Sequence, residues 1–442
     1  MGNFLHILSK EVINNKLGNR IFLLGIFFLP SALPISVLFL LISSLISFKT
    51  EESFYWKDRW NYPLFLSIGL IFFSSLNISL INKPSILLEY PVFNIWINLF
   101  NWIPIFLFFW GSQRYLKTNH QRLIFGKFLL SGSFPVIISM ILQKFFNIYG
   151  PFKTLFGLVV WFQKPLTPIY GVAGLFSNPN YAAVWLILIL PFAILFLKNS
   201  EIYSIKRFIL FVLFFLLIYL TLLTGSRNGL IGIILSVIFL FGYKRLFIII
   251  IPIFSLLSFN NFFGYLINKG ENLYGLHPVN ALLDKLIPNE FSNSTRLIIW
   301  KTVLERIKEK PLLGWGPSTF SFLNEKHNEN IIDLKLKVIA GHSHNMPLEM
   351  AHNFGIPLSI ILTTTILLLL IKTWIYIFMR NQKNNDFLVE KAWFSSSLII
   401  FISHLSDITY YDGKISILIS LLFAGLKCIN NENISKRLNK IY

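Results

Sequence analysis

Recurring apolar runs constrain this chain more than any other feature. A spanning helix needs ~20 mainly apolar residues to cross the hydrocarbon core, and runs of that kind recur through most of the 442 positions. Hydrophobic residues make up 55% of the chain and charged ones 13%, with a mean hydropathy of +0.64. In lipid every backbone N–H and C=O must be satisfied internally, which leaves helices or a closed barrel. These runs are too long and too uniformly apolar for strands with alternating faces. The expected class is all-α, a polytopic integral membrane protein.

The expected spans are 21–48, 63–82, 93–112, 123–147, 181–198, 208–224, 228–243, 246–258, 355–379, 392–405 and 415–428. Pro30-Ser31-Ala32-Leu33-Pro34 interrupts the first, which fits one tilted helix or a hairpin of two. Charge chooses between them. Lys and Arg number 39 against 20 Asp and Glu, a net +19. In a soluble protein that would suggest nucleic acid; here basic cytoplasmic loops explain it. A double crossing puts Lys57 and Arg59, Arg114 and Arg122, Lys206 and Arg207, Lys244 and Arg245, and Lys372 through Lys391 on one side. About 12 transmembrane helices result, with residues 148–180, the Gly225-Ser226-Arg227 corner, 259–350 and 406–414 on the other face. The apolar run of 28 residues after Lys10, Lys16 and Arg20 is too long for a cleaved signal, so it is expected to be retained. Cys428 is the single cysteine, which excludes an intrachain disulfide or a cysteine-based metal site. The expected organisation is one membrane domain over 1–442 with a large loop, 259–350, inserted in it.

That loop is where chemistry is expected. Leu297, Trp300, Val303, Leu304 and Ile307 share one face of an amphipathic helix that Pro311 ends. Arg296 falls in the first turn of that helix as the pattern places it. There the dipole favours an anion, so dipole and guanidinium together make an anion site; a solvated surface Arg is the bland reading. Arg227, at the outer end of a span, is either an interfacial anchor or a planar fork presented to a phosphate. His344, just before a helix that Pro347 can start, suits a general base at neutral pH, though a merely structural histidine reads the same way. His342, His344 and His352 have no carboxylate at HExxH spacing, and a proline interrupts the run, so neither a metal nor a cofactor is expected. Asn178 and Asn180 either form a helix-start turn or hydrogen-bond sugar hydroxyls. His404, Asp407 and Asp412 bracket Tyr410-Tyr411 at the membrane edge, where ionisable groups invite suspicion.

Four stretches together resemble the O-antigen ligase and polymerase superfamily of envelope glycosyltransferases. They are Gly174-Leu175-Phe176-Ser177-Asn178-Pro179-Asn180, Gly225-Ser226-Arg227-Asn228-Gly229, Arg296 with Trp300 running to Pro311-Leu312-Leu313-Gly314-Trp315-Gly316, and His344-Asn345 followed by Gly355. The resemblance covers residues 170–425, and the ending Asp407–Gly413 is similar to cyanobacterial members. Leu358 stands where the family typically has a second glycine after Gly355. The resemblance implies a metal-independent, inverting, membrane-embedded glycosyltransferase in the bacterial inner membrane. Its donor would be a glycan on undecaprenyl diphosphate, presented at the periplasmic face, and its acceptor lipid A-core or a growing glycan. Arg227 and Arg296 would neutralise the diphosphate and His344 would deprotonate the acceptor. Asn345, Asn178, Asn180, Trp300 and Asp407 would contact substrate, and a lipid-sized cavity would lie between helices.

Two other classes stand beside the enzyme. A transporter of bicarbonate or another anion would favour discontinuous helices in related halves and ionisable residues at midplane. In this sequence the candidate charges cluster toward one face. A non-catalytic assembly subunit would make Arg227 and His344 dispensable.

Overall fold

The first apolar block folds as two antiparallel helices, α1 (16–28) and α2 (Leu33–Lys57), joined by a turn at 29–31. Gly25 abuts Leu40 and Gly18 abuts Ile46, the pairing an antiparallel hairpin requires. The Ser36 hydroxyl donates to the Gly25 carbonyl at 2.7 Å across it. The hairpin, rather than one tilted helix, is therefore the form this block takes. The computed structural model describes residues 16–81, 83–166, 171–245, 290–329, 340–379 and 387–438. The expected span 246–258 and the start of the large loop, with Asn260 and Asn261, lie outside the described residues.

The helices continue as α3 (Tyr62–Leu76), α4 (Val92–Ile97), α5 (Ile103–Ser112), α6 (Asn119–Gly132), α7 (Phe134–Phe145), α8 (Pro179–Lys198), α9 (Ile205–Leu223) and α10 (Arg227–Phe241). Then come α11 (Glu290–Glu309), α12 (Phe320–Glu329), α13 (Met346–Phe354), α14 (Ile356–Phe378), α15 (Leu388–Ser403) and α16 (Gly413–Leu438). Proline opens α3, α5, α7, α8, α13 and α14, where its fixed φ suits the helix and its missing N–H costs nothing. Among the described residues, 7 helical stretches are long and apolar enough to cross a membrane, with shorter apolar helices at Leu33–Lys49 and Arg227–Phe241. Among the described residues the strands form a small antiparallel hairpin, β1 (Phe152–Thr154) with β2 (Val159–Trp161).

A helix apolar all round belongs at the centre of a bundle. That is where α8 sits, with every residue from Ala182 to Leu197 buried, and the span in α16 is buried just as fully. Helices α2, α3, α9 and α14 surround them and expose large side chains such as Leu45, Phe73, Phe208 and Ile360, as lipid-facing spans do. At one end of the bundle largely buried ion pairs tie three helices and the residue that follows α2. Arg122 pairs with Glu390 at 3.4 Å and Glu432 at 2.6 Å, and Lys427 with Asp58 at 2.6 Å. The chain order puts Lys206, Arg207, Lys244 and Lys391 at this same end, since α9, α10 and α15 begin or finish there. The starts of α8 and α10 and the turn between α15 and α16 share the opposite end.

Helix α11 differs from its sequence pattern in two ways. Its core-facing residues are Ile299, Val303 and Ile307, packed with Phe320, Ala340 and Ala351. Leu297 and Leu304, expected on that face, are exposed. The apolar residues form two adjacent stripes, and only one meets α13. The helix also begins at Glu290, so Arg296 lies well past the first turn and the α11 dipole does not act on it as expected.

Candidate active site

Two tight backbone approaches build the floor of the site. The turn after α11 lies against the end of α13: Trp315 N–H donates to the His352 carbonyl at 2.8 Å, Gly316 N–H to Asn353 at 2.9 Å, and Ile356 N–H to Pro311 at 2.7 Å. Gly355 has φ +93°, and a Cβ there would come within 2.0 Å of the Leu312 carbonyl oxygen. Glycine is needed both for the left-handed backbone and for the contact. Leu358, in place of a second glycine, is fully buried in the core.

Above this floor, residues 342–345 are held from three sides. From α11, Trp300 Nε1–H donates to the Ser343 carbonyl at 3.0 Å. From α13, the buried Glu349 accepts the Ser343 N–H at 2.8 Å and the Tyr411 hydroxyl at 2.7 Å. Asn345 caps α13 by accepting the Leu348 N–H at 3.1 Å and donates to the Leu405 carbonyl at 3.0 Å. Held this way, His344 adopts φ +54°, a conformation a non-glycine residue rarely takes and which costs of order 1–3 kcal/mol.

The held histidine meets the turn between α15 and α16. Its Nδ1 lies 3.0 Å from Asp407 Oδ1. Asp407 Oδ1 also accepts the Ile408 N–H at 2.9 Å, and Oδ2 accepts from Asn180 Nδ2 at 2.9 Å. Burial pushes the Asp407 carboxyl up, but the hydrogen bond from His344, the two imidazoles and the Ile408 N–H outweigh it and hold the group below the ordinary carboxylate value. An ionised Asp407 only accepts, so Nδ1 of His344 carries a proton, and in the neutral imidazole the free lone pair is the one on Nε2. Burial lowers the His342 pKa, with His344 adding to the effect.

The remaining residues converge from other helix starts. Arg227 is the first residue of α10, beside the unsatisfied N–H groups of that terminus. Asn228 next to it accepts the Ser406 hydroxyl at 2.9 Å, which fixes α10 against the Asp407 turn. Burial lowers the Arg296 pKa; Asp407 opposes that shift and Arg227 adds to it, so the three charges share one region. Asn178 caps α8 by accepting the Asn180 N–H at 2.8 Å. Arg227, Arg296, His344, Asp407 and Asn180 thus come together, while the side chains of Asn178, Asn345 and Trp300 hold backbone in place. Glu349 carried no sequence signal, because an acidic residue in a first helical turn is ordinary capping composition. Among the described residues His342, His344 and Asp407 offer ligand atoms within 4.8 Å of one another, a set able to hold a divalent cation. HExxH-type spacing does not reveal it, since Asp407 arrives from 63 residues away.

Below the site a narrow apolar cleft of about 930 Å³, its open mouth included, descends between α5, α13, α14 and α16. Met346, Leu405 and Tyr410 line its upper part, and Phe106, Leu362 and Phe423 line it too. Met346 N–H donates to the His404 carbonyl at 2.8 Å, which joins the cleft wall to the His344 loop.

No curated protein matches the chain significantly. Residues 211–363 match the family described as O-antigen ligase, a span that takes in Arg227, Arg296 and His344. Over this third of its length the chain thus carries an O-antigen ligase domain, a domain of glycosyl-transferring membrane enzymes.

Proposed function

We propose that the chain moves a glycan from undecaprenyl diphosphate to a sugar hydroxyl, with His344 as general base and Arg227 and Arg296 as the diphosphate clamp. The observation that carries this reading is the Asp407–His344 hydrogen bond, which fixes the tautomer that leaves Nε2 basic. In a single displacement Nε2 takes the proton of the acceptor hydroxyl. The acceptor oxygen then bonds to the anomeric carbon, and the bond from that carbon to the diphosphate oxygen breaks. The leaving diphosphate takes the electron pair. Attack from the face opposite the leaving group inverts the centre. Negative charge grows on the diphosphate, and two guanidiniums beside the N-terminus of α10 are placed to stabilise it.

The apolar cleft supports a polyprenyl donor, because its lining suits isoprene units and its upper wall is continuous with the His344 loop. The same lining disfavours anion permeation, which needs polar groups along a path. Basic loops at the end away from the site favour a cytoplasmic place for that end. The site and the loop 259–350 then face the periplasm from the bacterial inner membrane, within a catalytic core of 170–425. The acceptor is lipid A-core for a ligase, or a growing glycan for a polymerase.

The test is a lipopolysaccharide ladder from a deletion strain complemented with wild type or His344→Ala. Loss of the ladder with lipid-linked glycan accumulating assigns ligase, and a core-plus-one-unit band assigns polymerase. Full restoration by His344→Ala removes the proposed base.

A further inference from the structure

A second cleft opens at the opposite end of the bundle, where α2, α3, α14 and α16 meet. It encloses about 1230 Å³ including its mouth. Lys57, Arg59 and Lys372 line it against one carboxylate, Asp58. That carboxylate is already engaged, 2.6 Å from Lys427 Nζ and 3.4 Å from Asn431 Nδ2, and it caps the Trp60 N–H. The cleft therefore presents an excess of positive charge.

Its position within the bilayer is legible. Lys372 is the one charge in α14, six residues before the helix ends, about 9 Å along the axis. Its neighbours Ile371, Trp374 and Ile375 are exposed as lipid-facing residues are. An exposed cation at that depth is costly unless it reaches the interface or meets an anion. The ammonium instead lies 4.5 Å from the centroid of the Trp60 ring, at the mouth of the cleft. Trp56, 63% exposed, sits at the same level, where tryptophans mark the membrane–water boundary.

The floor separates a lipid from a free anion. Leu368 and Thr365 follow Lys372 down one face of α14, at spacings of four and three residues. The cations thus stand at the mouth and an apolar wall runs inward beneath them. Thr365 also lines the cleft below the active site, so the two cavities meet at that residue. We propose that this cleft binds the phosphodiester headgroup of an anionic phospholipid, with an acyl chain lying along Leu368 and Thr365. Basic pockets between helices near headgroup level recognise such lipids. This inference does not depend on the reaction proposed above.

The full-length protein in detergent would be equilibrated with phosphatidylglycerol, phosphatidylcholine or inorganic phosphate. Retained lipid is read by native mass spectrometry and protection by thermal melting. The expected result is at least fivefold preferential retention of phosphatidylglycerol over phosphatidylcholine, falling as salt rises from 0.1 to 0.5 M, with no protection by phosphate alone. Arg59→Gln with Lys372→Gln, both at exposed positions, is expected to erase the preference while melting like the wild type in phosphatidylcholine. Equal retention of the two lipids, an unchanged preference in the variant, or equal protection by phosphate would overturn the proposal. Should the variant not fold, the preference of the wild type and its salt dependence decide alone.

Discussion

Asp407→Asn is the sharpest test of the site, because it removes a charge and hardly alters shape. In the native site Oδ1 receives two donors, Ile408 N–H at 2.9 Å and His344 Nδ1 at 3.0 Å, while Oδ2 receives Asn180 Nδ2 at 2.9 Å. An asparagine here keeps its carbonyl on the side with two donors, which turns its NH2 toward Asn180. Asn180 can flip its own amide to accept, so the geometry survives and the lost charge dominates. A hydrogen bond to a charged group contributes about 1.5–3 kcal/mol. That bond strengthens as His344 becomes an imidazolium in the transition state, so the loss falls on turnover, by about 10- to 150-fold. The assay is steady-state transfer from a polyprenyl-diphosphate glycan with purified enzyme, kcat and KM measured separately. If the NH2 instead faces Nδ1, the imidazole is held in the wrong tautomer and the loss is larger still. A variant retaining kcat within threefold of the wild type would refute Asp407 as the group that orients His344.

Three further outcomes can be checked. Arg227→Lys and Arg296→Lys keep the charge but lose the two-pronged grip on phosphate, so each should reduce kcat/KM by about tenfold or more; full activity in both would remove the clamp. Gly355→Ala should lower the melting temperature sharply and cost more than about 2 kcal/mol, because the added methyl meets the Leu312 backbone and the φ of +93° resists a side chain. Acid should destabilise the protein. Burial lowers the pKa values of His342 and of His352, so the folded state binds fewer protons than the unfolded one below the ordinary histidine value of about 6.5. Their stabilising effect is complete above that value and drains away as the pH falls below it, and His352→Gln should flatten the drop in melting temperature between pH 7.5 and 5.5.

Most of the fold could be read from composition and punctuation. Among the described residues apolar runs located the spans, prolines marked where many helices start, and the charge asymmetry selected the hairpin at 21–48 that the Gly25–Leu40 and Gly18–Ile46 contacts display. The buried face of α11 differs from the one its pattern suggests because apolar residues lie on two neighbouring stripes. Periodicity cannot say which of two such stripes a partner covers; the packing of α13 decides it. Helix α11 also starts earlier than its apolar periodicity, which begins only at Leu297, so its N-terminal dipole lies away from Arg296.

The site was less legible because its logic is non-local. Each charged member was visible as an ionisable group beside a span, yet none of the pairings was. Asp407 reads alone as a loop carboxylate and becomes the orienting partner of His344 only when the turn between α15 and α16 meets residues 342–345. Asn178 invites a sugar-binding reading and Asn345 a substrate contact, yet the side chains of both cap helices. Glu349 explains why those caps matter. Its one carboxylate receives the Ser343 N–H and the Tyr411 hydroxyl, so the histidine loop and the Asp407 turn share a buried anchor. A base held at a left-handed φ needs such over-determination. The hydrogen bonds made by Trp300 as donor, by Glu349 as acceptor and by Asn345 as both supply it without touching the reacting atoms. Their loss should therefore loosen His344 rather than remove the base, and Glu349→Gln should lower kcat more than it raises KM.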